Sequence, residues 1–158
     1  TSHSFDSLLA KQGNIAFFWQ LQDPGNAGTI IRSADAFGFT GVAFSPESVE
    51  IYSPKVVRST VGSLWNLPFV SDVELETVLV KCQSAGYQIY AFDSHASSEI
   101  STVTKSSKSL LIFGNEARGL PQMPAFVKLI KIPMSGDTES LNVASAATVG
   151  MYEFGVRR

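Results

Sequence analysis

Three segments of the chain carry residues able to do chemistry. The first is Asp23-Pro24-Gly25-Asn26-Ala27-Gly28, with Arg32 beyond it. On a helix, Gly28 and Arg32 lie one turn apart, on the face opposite the apolar positions Ala27, Ile30, Ile31, Ala34 and Phe37. Helical side chains lean toward the N-terminus and Gly28 presents nothing in the way, so the guanidinium is expected over the helix start. Unpaired backbone N–H groups there attract anions, which makes the spot a seat for a phosphate. The same spacing equally fits a solvated arginine beside a glycine used for tight packing.

The second segment, Phe113-Gly114-Asn115-Glu116-Ala117-Arg118-Gly119-Leu120, has the glycine spacing of a phosphate loop. Leu120 and Pro121 stand where that loop needs Lys and Ser/Thr, and Pro121 and Pro124 resist a long helix, so a nucleoside triphosphate is disfavoured. No GxGxxG is present, which disfavours a nicotinamide oxidoreductase. The third segment joins Ile132-Pro133-Met134 to Glu139-Ser140-Leu141-Asn142-Val143-Ala144 at the mouth of a small-residue helix. Ser140 is a natural helix cap, and Ala144, Ser145, Ala146, Ala147 and Gly150 permit close helix packing whatever else they do.

These segments need elements to hold them. Ile15 to Trp19 reads as a buried strand ended by the turn at Asp23-Pro24-Gly25. Asn26 is expected to cap the next helix and Gly38 to stop it. Gly41 to Ser45 is a second strand, Ser53 to Arg58 a loop feeding a short helix, and Gly62 to Pro68 a turn region. Asp72 is expected to cap a helix reaching Ala85, Gly86 to end it, and Tyr87 to Phe92 to form a strand. Ser101 to Ser109 reads as a loop or weak strand, Leu110 to Phe113 and Val127 to Ile132 as strands, and Leu141 to Phe154 as the terminal helix. Alternating strands and helices predict an α/β fold with a mostly parallel sheet flanked by helices.

Composition narrows the classes. At 158 residues and 44% hydrophobic content, one domain can bury a core without disulfides or metals. The only cysteine, Cys82, shares a helical stripe with Leu75, Val78 and Leu79 and reads as core. His3 and His95 join no Cys or carboxylate cluster in the sequence, so no metal is expected. No GxSxG elbow offers hydrolase chemistry. No apolar run matches a membrane span or a signal peptide, and the expectation is a soluble, cytoplasmic protein. The formal net charge of −2 is unhelpful for gripping a polyanion, so basic residues must gather on one face or another segment must supply affinity.

In order and spacing, the three motifs resemble those of the SpoU (TrmH-like) branch of the SPOUT RNA 2′-O-ribose methyltransferases, from about Asn14 to the C-terminus. That resemblance implies an α/β-knot whose C-terminal segment threads a loop as a deep trefoil knot, an exception to unknotted topology. It implies a catalytic domain over residues 14–158, with 1–13 an N-terminal segment, a remnant of a linker to an RNA-binding domain absent from this sequence. It also implies S-adenosyl-L-methionine as cofactor, for which loops of Gly, Ile, Met and Leu are suited, since a sulfonium has no phosphate to cradle. By carry-over, Asn26, Arg32, Glu116, Ser140 and Asn142 match functional polar positions, and Gly114, Ile132, Met134 and Leu141 match cofactor contacts. Ala117 stands where many relatives have glycine, making the loop less permissive.

In the family arrangement Lys55, Arg58 and Arg118 lie in loops beside the pocket, which makes them candidates for RNA contacts; the terminal Arg157 and Arg158 could equally be frayed. The family places its cofactor site at a homodimer interface, so a dimer is expected. The activity implied is methyl transfer to a ribose 2′-hydroxyl of ribosomal RNA. The alternatives are transfer RNA as substrate, or a non-catalytic RNA-binding or assembly protein that keeps the fold.

Overall fold

The computed structural model describes residues 3–60, 62–138 and 140–157. Glu139 of the third motif and the terminal Arg158 lie outside the described residues. Among the described residues, seven strands form one sheet: β1 (Ile15–Phe18), β2 (Gly41–Phe44), β3 (Phe69–Val70), β4 (Gln88–Phe92), β5 (Ser98–Glu99), β6 (Ser109–Phe113) and β7 (Lys128–Lys131). Their order is β3-β2-β1-β6-β4-β7-β5, and every pairing is parallel. All strands therefore end on one edge of the sheet. Helices α2 (Pro24–Ala36), α3 (Pro54–Thr60), α4 (Ser63–Asn66) and α6 (Val143–Gly155) contribute to the core on one face; α1 (Phe5–Leu9) and α5 (Leu75–Ser84) contribute to it on the other. With both faces covered, β1, β2 and β6 are buried along their whole length, as their unbroken apolar runs require.

The register carries four phenylalanines into a row. Phe18 pairs with Phe44 on one side and Phe113 on the other. The Phe18–Phe44 and Phe18–Phe113 rings stack at 5.8 and 5.1 Å, and Phe113 stacks on Phe92 at 4.4 Å. From β6 the chain runs out past β4 to β7, and α6 then returns over β6 and packs on α2. A Cβ at Gly150 would meet Phe92 Cζ at 2.7 Å, so α6 sits directly on this row because it lacks a side chain there. The Ser33 and Thr148 hydroxyls bond at 2.8 Å between α2 and α6.

Several boundaries differ from the sequence reading. Asp23, not Asn26, caps α2: its side chain accepts from the Asn26 N–H, and Pro24 takes the first helical position, where a missing N–H costs nothing. Residues 54–60 are already helical where a loop feeding a short helix was expected, and residues 63–66 are helical within the expected turn region. Asp72 caps nothing: its φ of 56° is left-handed, and α5 starts three residues later. Asn142 rather than Ser140 caps α6. Cys82 is buried as expected, and burial pushes its thiol up to about 12, well out of reach of thiolate chemistry.

Asn14, only 5% exposed, ties the far edge together. Its Nδ2 donates to the Phe154 carbonyl at 3.3 Å, and its Oδ1 accepts from the Ser109 N–H at 2.9 Å, linking β1, the end of α6 and the start of β6. Removing both bonds strands buried groups. Asn14→Ala is expected to cost about 2–3 kcal/mol in urea denaturation; a loss under about 0.5 kcal/mol would show that these groups find other partners.

Candidate active site

Parallel strands present their C-terminal ends together, and ligands of such sheets sit outside those ends where neighbouring strand order diverges. Here the divergence falls between β1 and β6, since β2 and β3 lie to one side and β4, β7 and β5 to the other. A cavity of about 490 Å³ opens above β4, β6 and β7. Its walls come from Phe92 to His95, Phe113 to Leu120, Ile130 to Ile132, Met134, and Ser140 to Val143 with Ala146. The second and third sequence motifs therefore meet in one place.

Each wall has a local cause. A Cβ at Gly114 would overlap the Gly119 carbonyl group, so the loop doubles back on itself only because residue 114 is glycine. Asn115 locks that turn: its backbone N–H and C=O pair with Gly119, and its side chain accepts from the Ala117 and Arg118 N–H groups. Asn142 accepts from the Ala144 and Ser145 N–H groups at 2.8 and 3.3 Å, fixing the start of α6 at the cavity rim. Phe92 and Phe113, from the stacked row, line the cavity at the strand ends. Met134 and Leu141 are 37% and 40% exposed, an apolar rim open to a flat partner.

Glu116 and Gln20 join this loop to the first motif. The Glu116 carboxylate accepts from the Gln22 N–H at 3.1 Å and the Asp23 N–H at 2.8 Å, just ahead of α2. The Gln20 carbonyl accepts from Asn115 Nδ2 at 2.7 Å, and its side-chain oxygen accepts from the Arg118 guanidinium. That guanidinium also lies 5.5 Å from the Trp19 ring centre, so the Arg118 side chain is held at the rim by two contacts of different kinds. Asp93 and Glu116 are balanced by Lys131 and Arg118 among the lining residues. No surplus of positive charge exists for a triphosphate; a neutral adenine with a single positive centre suits the balance better.

Glu116, Ser140, Asn142, Gly114, Ile132, Met134, Leu141 and Arg118 thus line one cavity. Asn26, Arg32, Lys55 and Arg58 do not. Asn26 sits in the first turn of α2 beside the Glu116 tether, and exposed Arg32 lies about 9 Å further along that helix. The phosphate seat expected from Gly28 and Arg32 does not form. Gly28 is buried, a Cβ there would overlap the Ser59 hydroxyl, and the helix starts at Pro24, so Gly28 is the packing point of α2 on α3. Lys55 and Arg58 are exposed on α3 rather than in loops.

The sequence reading missed Gln20, Gln22, Asp93 and His95. His95 lies beside Asp93 on the rim, its Nδ1 3.7 Å from a carboxylate oxygen. The available signal was positional: each follows the C-terminal end of a parallel strand. No group of three or more His, Cys, Asp or Glu that could hold a metal occurs among the described residues, and no helix there is long and apolar enough to cross a membrane.

The SpoU rRNA Methylase family profile matches residues 14–152. A 23S rRNA uridine 2′-O-methyltransferase of Streptomyces viridochromogenes is 39% identical over 139 residues, 82% of this chain and 48% of that protein. The 23S rRNA guanosine 2′-O-methyltransferase RlmP of Bacillus subtilis is 30% identical over 152 residues, 95% of this chain and 61% of that protein. The chain thus spans about half to three-fifths of the length of these curated relatives. Among solved structures, that of the SpoU methyltransferase AviRb of Streptomyces viridochromogenes in complex with the cofactor AdoMet matches at a TM-score of 0.87 and 32% identity, covering 100% of this chain and 63% of that one.

The tether is open to a direct check. In Glu116→Ala the Gln22 and Asp23 amides lose a charged acceptor, and their hydrogen exchange is expected to quicken about tenfold or more. Unchanged exchange would mean that the carboxylate does not hold the two loops together.

Proposed function

The chain belongs to the SpoU rRNA methylase family, within the SPOUT methyltransferases and with their α/β-knot architecture, and on that footing we propose that it methylates a ribose 2′-hydroxyl of RNA using S-adenosylmethionine. One observation carries the reading: the glycine loop, the Ile132-to-Met134 segment and the Ser140-to-Asn142 turn line a single charge-balanced cavity at the C-terminal edge of a parallel sheet. The closely turned backbone at Gly114 and Gly119 and the apolar Ile132, Met134 and Leu141 would hold the adenosyl group. Glu116 would keep that loop in register with the start of α2, where Asn26 stands. The cofactor supplies a methyl carbon already bonded to a good leaving thioether, so alignment and stabilisation of oxygen charge are what the protein must add.

The reaction is one displacement: the 2′-oxygen bonds the methyl carbon as the carbon–sulfur bond breaks, and the hydroxyl proton passes to an RNA phosphate or water. Arg32 would bind phosphate and stabilise the developing oxyanion, because a guanidinium stays protonated and cannot serve as base. In the single chain Arg32 is not among the cavity-lining residues. A homodimer with the cavity at its interface is the form we propose. Arg32, Lys55 and Arg58 are exposed and form no ion pair among the described residues, which leaves them available to the RNA backbone. Ribosomal RNA is the substrate favoured by the relatives' activities, with transfer RNA as the other candidate.

Calorimetric titration of S-adenosylhomocysteine is expected to show saturable binding, with none for NADH. A folded, dimeric chain that binds neither would contradict the cofactor assignment. Arg32→Lys, which keeps the charge and loses the bidentate fork, is expected to lower kcat about tenfold or more with RNA affinity retained; wild-type turnover in that variant would remove the geometric role given to Arg32.

A further inference from the structure

A second cavity, of about 480 Å³, opens on the same edge of the sheet beyond the ends of β2 and β3. Only one loop separates the two. Gln20 donates its backbone N–H to the Ser45 hydroxyl of the second cavity at 2.7 Å, while its carbonyl accepts from Asn115 of the first. Its side-chain amide also donates to Glu47 at 3.2 Å, in the loop that carries Ser45 and Ser48.

The chemistry of this second cavity is unlike that of the first. Tyr52 is 57% exposed and its ring leans on Phe69 at 5.1 Å, leaving a supported aromatic surface with nothing on it. Ser48 lines the cavity and its hydroxyl is buried without a hydrogen-bond partner among the described residues. Such a group costs stability where it stands, and a serine hydroxyl swings on one torsion to meet a ligand. The remaining polar lining is Ser45, Ser71, Glu50, Asp72 and His3, with no Lys or Arg. Phosphate is therefore repelled, and a ring with N–H donors is favoured. Gln20, Glu47 and Asp72 hold left-handed backbone at φ of 52°, 65° and 56°, the kind of cost that persists where a site demands a shape.

We propose that this cavity seats a nucleobase of the RNA substrate adjacent to the methylated ribose, with guanine the preferred base. The proposal rests on the methyl-transfer reading, which puts RNA across the shared edge. Stacking on Tyr52 suits any base. Guanine adds two neighbouring donors on one edge, which the two oxygens of a Glu50 or Asp72 side chain can accept together, whereas uracil offers one donor between two acceptors. Glu50 already accepts from the Tyr52 N–H at 3.1 Å, leaving Asp72 the less committed carboxylate.

The test is an amide chemical-shift titration of the whole chain with guanosine, with uridine, and separately with S-adenosylhomocysteine. Guanosine is expected to move Ser48, Tyr52 and Ser71 saturably, with uridine several-fold weaker, and S-adenosylhomocysteine to move Gly114 and Leu141. Tyr52→Ala should weaken guanosine about fivefold or more while Tyr52→Phe keeps it, and neither should alter the S-adenosylhomocysteine response. Ser48→Ala should raise Tm yet weaken guanosine, a combination that a purely structural serine would not give. Equal binding of the two nucleosides, or shifts confined to the first cavity, would overturn the base seat. A response to S-adenosylhomocysteine with none to guanosine overturns the seat and leaves the methyl-transfer reading standing; the opposite pattern overturns that reading and leaves a base-binding cavity.

Discussion

The seating of α6 on the row of phenylalanines is the contact on which the rest of the molecule depends. Phe44, Phe18, Phe113 and Phe92 stack across four neighbouring strands, and Gly150 lets the helix come down onto the Phe92–Phe113 end of that row. Ala147, Met151 and Phe154 complete a face with no exposure to water. A larger residue at 150 would lift the helix and draw Asn142, its cap, away from the rim. The same descent lets Gly155 pass against the Phe37 carbonyl and brings the end of α6 to Asn14. Packing at the helix centre thus sets the position of polar groups at both of its ends.

An all-parallel sheet imposes a second constraint, because its loops leave every strand on one edge and must be kept from one another's way. Hydrogen bonding among them does this work. Gln20 receives Asn115, Gln22 and Arg118 and gives to Ser45 and Glu47, while Glu116 holds the approach to α2 through two backbone N–H groups. The edge is thereby divided into two cavities of similar size and different chemistry: one charge-balanced with an apolar rim, the other acidic with an aromatic wall. A ligand lying across both would meet two chemically different surfaces on one edge of the sheet.

The charge distribution answers the difficulty posed by a net charge of −2. Lys81 pairs with Asp6, and Lys105 and Arg157 share Glu153, so these cations already have carboxylate partners. Arg32, Lys55 and Arg58 are left without acidic partners among the described residues, on two helices that touch through Gly28 and Ser59. A local excess of positive charge arises from pairing elsewhere and needs no basic composition overall.

What the sequence determined by itself was the central strands, the long helices and the motif residues of the first cavity. Continuous apolar runs made β1 and β6 legible, Gly38 and Gly86 marked helix ends with left-handed φ as expected, and the second and third motifs, Gly114 to Leu120 and Ile132 to Asn142, contribute to one cavity. Three matters were decided only by tertiary structure. The approach of Ser59 on α3 made Gly28 a packing contact rather than an opening beside Arg32. Gln20 and Glu116 became joints between loops 93 to 98 residues apart, a relation that no local pattern encodes. The second cavity exists because β2 and β3 end beside β1, and its residues carry no motif. Local propensity and periodicity act over one or two turns of chain, whereas a cavity is made by whichever strands the sheet brings side by side.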